Sequence, residues 1–265
     1  MIKKAEDNDK NSIIQLLSLD ESLNSPILSQ IERYGLSKGF QDVWMIYDND
    51  SCQNPKAIIM RHFNHIYLYL LSSDADYEEI ASFSAFFGSE IIWSGLRNLE
   101  CMEPFLKEFR LEPSRHMILC NPARLVSGNR VEHARVEDSG MLAQMIFKEK
   151  DFRRFYTSES EIEMGIRRRM EMGQCRYLVI KDGNEILAQA YTTIETKNYI
   201  TIGGVITKPD QRGRGLAGQV VSAMCLQIFE QGKKPNLFYK TEEAGRVYKR
   251  LGFIEAGDYG MLLKA

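Results

Sequence analysis

The chain repeats itself. At an offset of 129 residues, AEDNDKNSIIQLL (5–17) lies over ARVEDSGMLAQMI (134–146) without a gap. Ala5 falls on Ala134, Asp9 on Asp138 and Gln15 on Gln144. Apolar pairs recur at Ile13/Leu142, Leu16/Met145 and Leu17/Ile146, the spacing of one buried helix face. Each segment predicts a short strand, an Asp N-cap and an amphipathic helix. The order of the following elements repeats too. The first half offers strands in DVWMIYD, PKAIIMRHF and HIYLYLLSS, the second in CRYLVIK, EILAQAYTTIE and YITIGGVIT. Each half continues with a helix (YEEIASFSAFFG; LAGQVVSAMCLQIFEQ), a strand (EIIWSGL; PNLFYK) and a second helix (MEPFLKEF; EEAGRVYKRL). Each then closes on a strand-like tail containing M-I-L or M-L-L. A duplicated α/β unit accounts for this pattern, with the connector PARLVSGNR (122–130) between the copies. The expected domains are 1–126 and 127–265.

At 265 residues, 44% hydrophobic and 26% charged, the chain has room for two cores and a globular composition. Its net charge of -2 gives no electrostatic reason to expect nucleic acid or an anionic membrane as partner. The opening MIKKAEDNDKN has no apolar run, and no stretch approaches a membrane span. Five scattered cysteines (Cys52, Cys101, Cys120, Cys175, Cys225) form no C-x-x-C pair, as expected of reduced thiols. A cytoplasmic location is the expectation.

The segment ITIGGVITKPDQRGRGLAGQVV (200–221) passes from an apolar strand through a glycine- and arginine-rich loop into a helical pattern. Gly213, Gly215 and Gly218 spell G-x-G-x-x-G, the dinucleotide fingerprint. The context is wrong for that fold, because Lys208 to Arg212 separate the strand from the first glycine. A plain basic turn is also disfavoured, since Arg212 and Arg214 sit at the positive end of a helix dipole. Positive charge, absent side chains and a helix N-terminus together describe a phosphate cradle.

Val205-Ile206-Thr-Lys-Pro-Asp-Gln-Arg212-Gly-Arg-Gly215-Leu-Ala217 resembles the acetyl-CoA signature of the GNAT N-acetyltransferase superfamily, R/Q-x-x-G-x-G/A. The run is similar to the branch that includes glycine N-acyltransferase-like and zwittermicin-resistance proteins. A second motif, Ala244-Gly-Arg-Val-Tyr248-Lys-Arg-Leu-Gly252-Phe253, follows at the family's distance. The resemblance covers 131–264 and implies an α/β (α+β) fold of tandem GNAT-like domains, each a mixed, mostly antiparallel sheet flanked by helices. It implies acetyl-CoA as co-substrate, with backbone amides from Gly213, Arg214, Gly215, Leu216, Ala217 and Gly218 on the pyrophosphate. Gly204, Val205 and Ile206 would pair with the pantetheine arm, and Arg212 and Arg214 would add charge-assisted contacts. The amine would attack the thioester directly, and no metal is implied.

Tyr248 matches the family's general acid, although 244, 247, 248 and 251 also form an apolar stripe that suits a packed core tyrosine. Glu195 on the third strand is the candidate base, alongside a water relay that needs no acid. Phe152, Arg154 and Tyr156, in the run DFRRFYTSESE, and Tyr191 are the candidate acceptor contacts. Ser158-x-x-Glu161 in that run also reads as a capping box. The run Arg167-Arg168-Arg169 reads as a solvated helix face. In the first half, Ser72-Ser73-Asp74-Ala75-Asp76 replaces the loop and Leu106 stands near the place of Tyr248, so that half reads as a degenerate copy. His62 and His65, three apart on one expected strand, would face opposite sides and bind no metal together. Trp44 and Trp93 read as core. An N-acetyltransferase for a small-molecule amine is the leading function, with a possible homodimer. Acetylation of a protein amine and a non-catalytic acyl-CoA-binding regulator are the alternatives.

Overall fold

The computed structural model describes residues 1–47, 54–126, 128 and 130–265. Asp48 and Cys52, with Ser127 and Asn129 of the predicted connector, lie outside the described residues. By compactness the chain forms two units. One comprises Met1–Met117, Phe238–Lys240 and Glu255–Ala265; the other comprises Ile118–Leu237 and Thr241–Ile254.

The chain opens with β1 (Ile2–Lys4), α1 (Lys10–Leu17), α2 (Ser25–Tyr34), β2 (Ser37–Lys38), β3 (Gln41–Ile46), β4 (Ala57–His62) and β5 (His65–Leu70). Then come α3 (Tyr77–Phe86), β6 (Ile91–Gly95), α4 (Leu96–Met102) and β7 (Phe109–Ile118). The second series is β8 (Val131–His133), α5 (Ser139–Lys148), α6 (Lys150–Arg153), α7 (Glu159–Glu171), β9 (Tyr177–Asp182), β10 (Glu185–Glu195) and β11 (Tyr199–Thr207). It ends with α8 (Leu216–Glu230), β12 (Lys234–Tyr239), α9 (Glu242–Leu251) and β13 (Ile254–Lys264).

The repeat is visible at each start. Short 3₁₀ turns, Asp7–Asp9 and Val136–Asp138, precede α1 and α5. The aspartates do not cap the helices as the sequence suggests. Each instead folds back: Asp9 Oδ2 accepts from the Glu6 N–H at 2.9 Å, and Asp138 Oδ2 from the Arg135 N–H at 2.7 Å. The carboxylate thereby satisfies a backbone donor at the entry of each unit.

In the first unit the strands run β1-β3-β4-β5-β6-β13-β7, with β2 beside β3. β5 and β6 are parallel, while β1/β3, β3/β4, β4/β5 and β6/β13 are antiparallel. Both faces are covered, which is why its strands read as continuous apolar runs. Val43 and Ile58 pack with Ile13, Leu17 and Ile31, whereas Trp44 and Ile59 pack with Ile80 and Leu99. The second unit orders its strands β12-β11-β10-β9-β8, with β11 and β12 parallel and the rest antiparallel. Leu142, Ile146, Ile162 and Ile166 of α5 and α7 cover one face with Tyr177 and Val179. Each unit therefore carries a mixed, mostly antiparallel sheet flanked by helices.

Three expectations change. The tail Met261-Leu262-Leu263 does not close the half that precedes it: β13 lies in the first unit, with Met261 opposite Trp93 and Leu262 opposite Ile92. Conversely, Leu119 of the other tail belongs to the second unit, where its N–H donates to Pro235 O at 2.9 Å. The second helix of the first half is not MEPFLKEF but Leu96–Met102; Pro104 follows at the start of a 3₁₀ turn, Glu103–Phe105, where its missing N–H costs no hydrogen bond. His62 and His65 lie on different strands, β4 and β5, as directly opposed partners across a tight turn, so they share a face. Among the described residues no three His, Cys, Asp or Glu side chains are grouped to hold a metal ion, and no helix is long and apolar enough to cross a membrane.

Candidate active site

The loop between β11 and α8 carries its glycines where backbone conformation demands them. Gly213 and Gly215 have φ of 80° and 76°, and a Cβ at either would meet nothing within 4 Å. The left-handed backbone, not crowding, excludes side chains there, and the space above them stays open to a ligand. Gly215 is the residue before the first turn of α8, so the amides of Leu216, Ala217 and Gly218 are among the donors a helix cannot satisfy internally. Arg212, Gly213, Arg214 and Gly215 are exposed, while Leu216 is buried and anchors the helix start. Val220, Val221, Met224, Cys225 and Ile228 are buried along the helix. The open, glycine-lined helix start fits a pyrophosphate of the kind acetyl-CoA carries.

Arg212 is engaged elsewhere. Its Nη2 donates to Glu149 Oε1 at 2.6 Å and its Nε to Thr207 O at 3.2 Å. The guanidinium thus ties the loop to the end of β11 and to the junction of α5 and α6.

β11 bulges just before the loop. From Ile206 to Gly203 it advances three positions while β10 advances two, from Gln189 to Tyr191. The extra residue falls at Gly204 and Val205, and a bulge takes its residue out of the ladder. Gly204 has φ of 54° and is covered by the ring of Tyr191. Gly204 is therefore a glycine because Tyr191 occupies the place of its side chain.

The candidate acid is buried. Tyr248 on α9 is 6% exposed, and burial, with the nearby Cys225 thiol, pushes its pKa up. The phenol stays protonated at neutral pH, as a proton donor must. Its ring centroid lies 5.8 Å from that of Phe253. The packed and catalytic readings of Tyr248 are thus compatible.

Glu195 is placed poorly for a base. It ends β10, four positions beyond Tyr191 or about 13 Å along the strand. Its side chain is 55% exposed and accepts from Lys233 Nζ at 2.7 Å. The physical reason is its position beside the hairpin turn, where Lys233 reaches it.

Of the candidate acceptor contacts, Phe152, Tyr156 and Tyr191 pack in one cluster with α5 and α7. Arg154 is exposed, with its guanidinium carbon 4.9 Å from the Phe155 ring centroid. Ser158 caps α7, its Oγ accepting from the Glu161 N–H at 3.1 Å, while Glu161 Oε2 accepts from the N–H of Thr157, one residue before the cap, at 2.8 Å. Arg167 is exposed and near Glu163, but Arg169 is not part of a solvated face. It lies against Tyr177, which stacks on Tyr191 with centroids 4.6 Å apart. The sequence does not single out Arg169, Tyr177 or Gln189, which the structure places on the same face as Tyr191. The signal for Arg169 was its spacing from Ile162 and Ile166, which puts an arginine on the apolar stripe.

Residues 181–260, spanning β10 to most of β13 and including the loop, match the model of FR47-like protein. No curated protein matches the sequence. Solved structures do. A GNAT-family acetyltransferase from Colwellia psychrerythraea is 14% identical with a TM-score of 0.61, covering 100% of both chains. A GCN5-related N-acetyltransferase from Sphaerobacter thermophilus is 14% identical with a TM-score of 0.64, over 99% of this chain and 94% of its own. A tandem GNAT protein from the clavulanic acid biosynthesis pathway is 10% identical with a TM-score of 0.61, over 99% and 97%. The chain thus carries an FR47-like segment at residues 181–260 and shares the fold of GNAT-family acetyltransferases over its length.

Proposed function

We propose that the chain acetylates a primary amine of a small molecule, and that the loop 208–218 holds the donor. The observation that carries this reading is the pair of left-handed glycines, Gly213 and Gly215, at the open start of α8 beside the bulged strand β11. Acetyl-CoA supplies the thioester. The amides of 213–218 and the charge of Arg214 bind its pyrophosphate, and the bulge at Gly204 to Ile206 offers backbone groups to the pantetheine arm. The amine nitrogen forms the new C–N bond as the C–S bond breaks. Tyr248 protonates the departing thiolate, and the amine's proton leaves through water, because Glu195 is held by Lys233 at the far end of the hairpin. Phe152, Tyr156 and Tyr191 line the acceptor side.

The first half is, in this reading, a degenerate copy of the second. At its α3, Asp76 accepts from the Glu79 N–H at 2.9 Å, so a carboxylate occupies the helix start where the other copy leaves room for phosphate. A cytoplasmic location, with no nucleic-acid or membrane partner, belongs to the same reading.

Thiol release from acetyl-CoA across an amine panel tests it. Tyr248→Phe should lower kcat about 10²- to 10³-fold while leaving CoA affinity, measured by calorimetry, unchanged. Turnover at the wild-type rate would reduce Tyr248 to a packing residue. Tight CoA binding with no turnover across the panel would favour a binding regulator.

A further inference from the structure

Arg169 is the last of three consecutive arginines and does not share its neighbours' surroundings. On α7 it follows Ile162 and Ile166, both buried, along one helix face. The side chain is half-buried, and its partners are phenols and a thiol. Nη2 makes a long contact, 3.5 Å, to Tyr177 Oη, and the Cys175 thiol feels the charge of the guanidinium. Tyr191 and Tyr156 also interact with it electrostatically. Burial alone would lower the pKa of this guanidinium; the surrounding phenols more than offset that and raise it. Among the described residues no carboxylate forms an ion pair with Arg169. A guanidinium on an inward face without an anion has unused directional donors.

A second observation comes from β10. Gln189, two residues before Tyr191, is opposite Val179 and so faces the same helices. It is fully buried, and neither its Oε1 nor its Nε2 has a hydrogen-bond partner. An unmet buried polar group costs about 1–3 kcal/mol, and such groups are rare enough to need a reason. The face therefore carries a cation and an amide whose hydrogen-bonding capacity its own side chains leave unused. It adjoins Gly204, where the bulge lies.

We propose that the acceptor carries a carboxylate beside its amine, and that the fork of Arg169 holds that carboxylate between Tyr156 and Tyr177. The acceptor class is a small amino acid or a close analogue. A planar guanidinium matches a carboxylate with two parallel hydrogen bonds. One positive charge among neutral phenols balances one negative charge; a phosphate, at about -1.5 to -2, would need more than the cluster offers. Tyr156 and Tyr191 are thereby specificity residues and Arg169 the anchor. The inference rests on the acetyl-transfer reading, since it names the acceptor of that reaction.

The test uses the full chain, acetyl-CoA, and matched pairs of each proteinogenic amino acid and its carboxamide. Thiol release should favour the carboxylate member by about 30-fold or more in kcat/KM. Arg169→Gln should remove that preference, mainly through KM, leaving the carboxamide rates and the acetyl-CoA KM unchanged. Arg169→Lys should restore part of it, having charge without the fork. Equal rates for the two members in the wild type would overturn the inference while leaving acetyl transfer intact. Equal losses on both members in Arg169→Gln would also overturn it, showing a structural role. If no amine is acetylated, calorimetry with the same amino acids in the presence of CoA separates the two readings. Binding that depends on the carboxylate and on Arg169 would keep the anion site without the transfer reaction. No binding would overturn the inference. Should Arg169→Gln fail to fold, the wild-type preference and Arg169→Lys decide the question.

Discussion

Tyr191 lies where a side chain on Gly204 would have to go: a Cβ at Gly204 would collide with Tyr191 Cε1 and stand 2.7 Å from Cζ. The positive φ of Gly204 and the ring of Tyr191 are two parts of one bulge. Gly204→Ala should therefore cost at least about 3 kcal/mol, from left-handed strain plus the collision. Combined with Tyr191→Leu, it should cost less than the sum of the two single changes, by about 1–3 kcal/mol. Denaturant unfolding of the four proteins measures this, and simple additivity would mean that Tyr191 is not the obstacle.

Gly215 has the same kind of backbone but no neighbour to strike. Gly215→Ala should destabilise by only about 1–2 kcal/mol, the cost of left-handed φ. Gly215→Glu should add little further loss of stability, yet weaken CoA binding at least about tenfold by like-charge repulsion at the helix start. Calorimetry with CoA decides it, and undiminished affinity in Gly215→Glu would remove the cradle.

Glu149 holds the guanidinium of Arg212, which the proposed phosphate site would otherwise draw on. The pair is solvent-exposed, with side chains 57% and 30% accessible, so it adds at most about 1 kcal/mol to folding. Glu149→Gln should leave the melting temperature nearly unchanged while tightening CoA binding by roughly two- to fivefold at low salt, an effect that fades as salt screens the loop. Arg212→Gln should weaken binding under the same conditions. Titrations at two ionic strengths separate the outcomes, and weaker binding in Glu149→Gln would show that the pair positions the loop for its ligand.

His116 gives the first unit a pH dependence. It is fully buried and stacked on Phe238 with centroids 4.8 Å apart, and burial pushes its pKa down to about 4. An unfolded histidine titrates near 6.5, so between pH 6.5 and 4 the unfolded chain binds more protons than the folded one. Stability therefore falls as pH drops through that window, by about 3 kcal/mol in total, and this contribution levels off below pH 4. His116→Phe should flatten this part of the curve. Denaturant unfolding at pH 7, 5.5 and 4 tests it; an unchanged slope in the variant would assign the acid sensitivity to the carboxylates.

Much of the second unit was legible along the chain. The glycine positions of the loop, the apolar stripe of α8 and the Ser158 cap depend on local conformation, and local conformation is written in neighbouring residues. The paired starts at Asp9 and Asp138 were legible for the same reason, though not the direction of their hydrogen bonds. The surroundings of Glu195 and Arg169 were not. A glutamate on a hairpin and an arginine in a basic run look alike from sequence, and only the placement of Lys233 and of Tyr177 separates them.

The sequence by itself determined the kind of elements, their repeated order and a loop shaped for an anion, because helix and strand periodicity and glycine conformations are short-range properties. Tertiary structure alone decided where β13 belongs, that Tyr191 covers Gly204, and that Arg169 lies against Tyr177. A strand's composition states that it will pair but leaves its partner open. Contacts between residues distant along the chain are fixed only by the packing that brings them together.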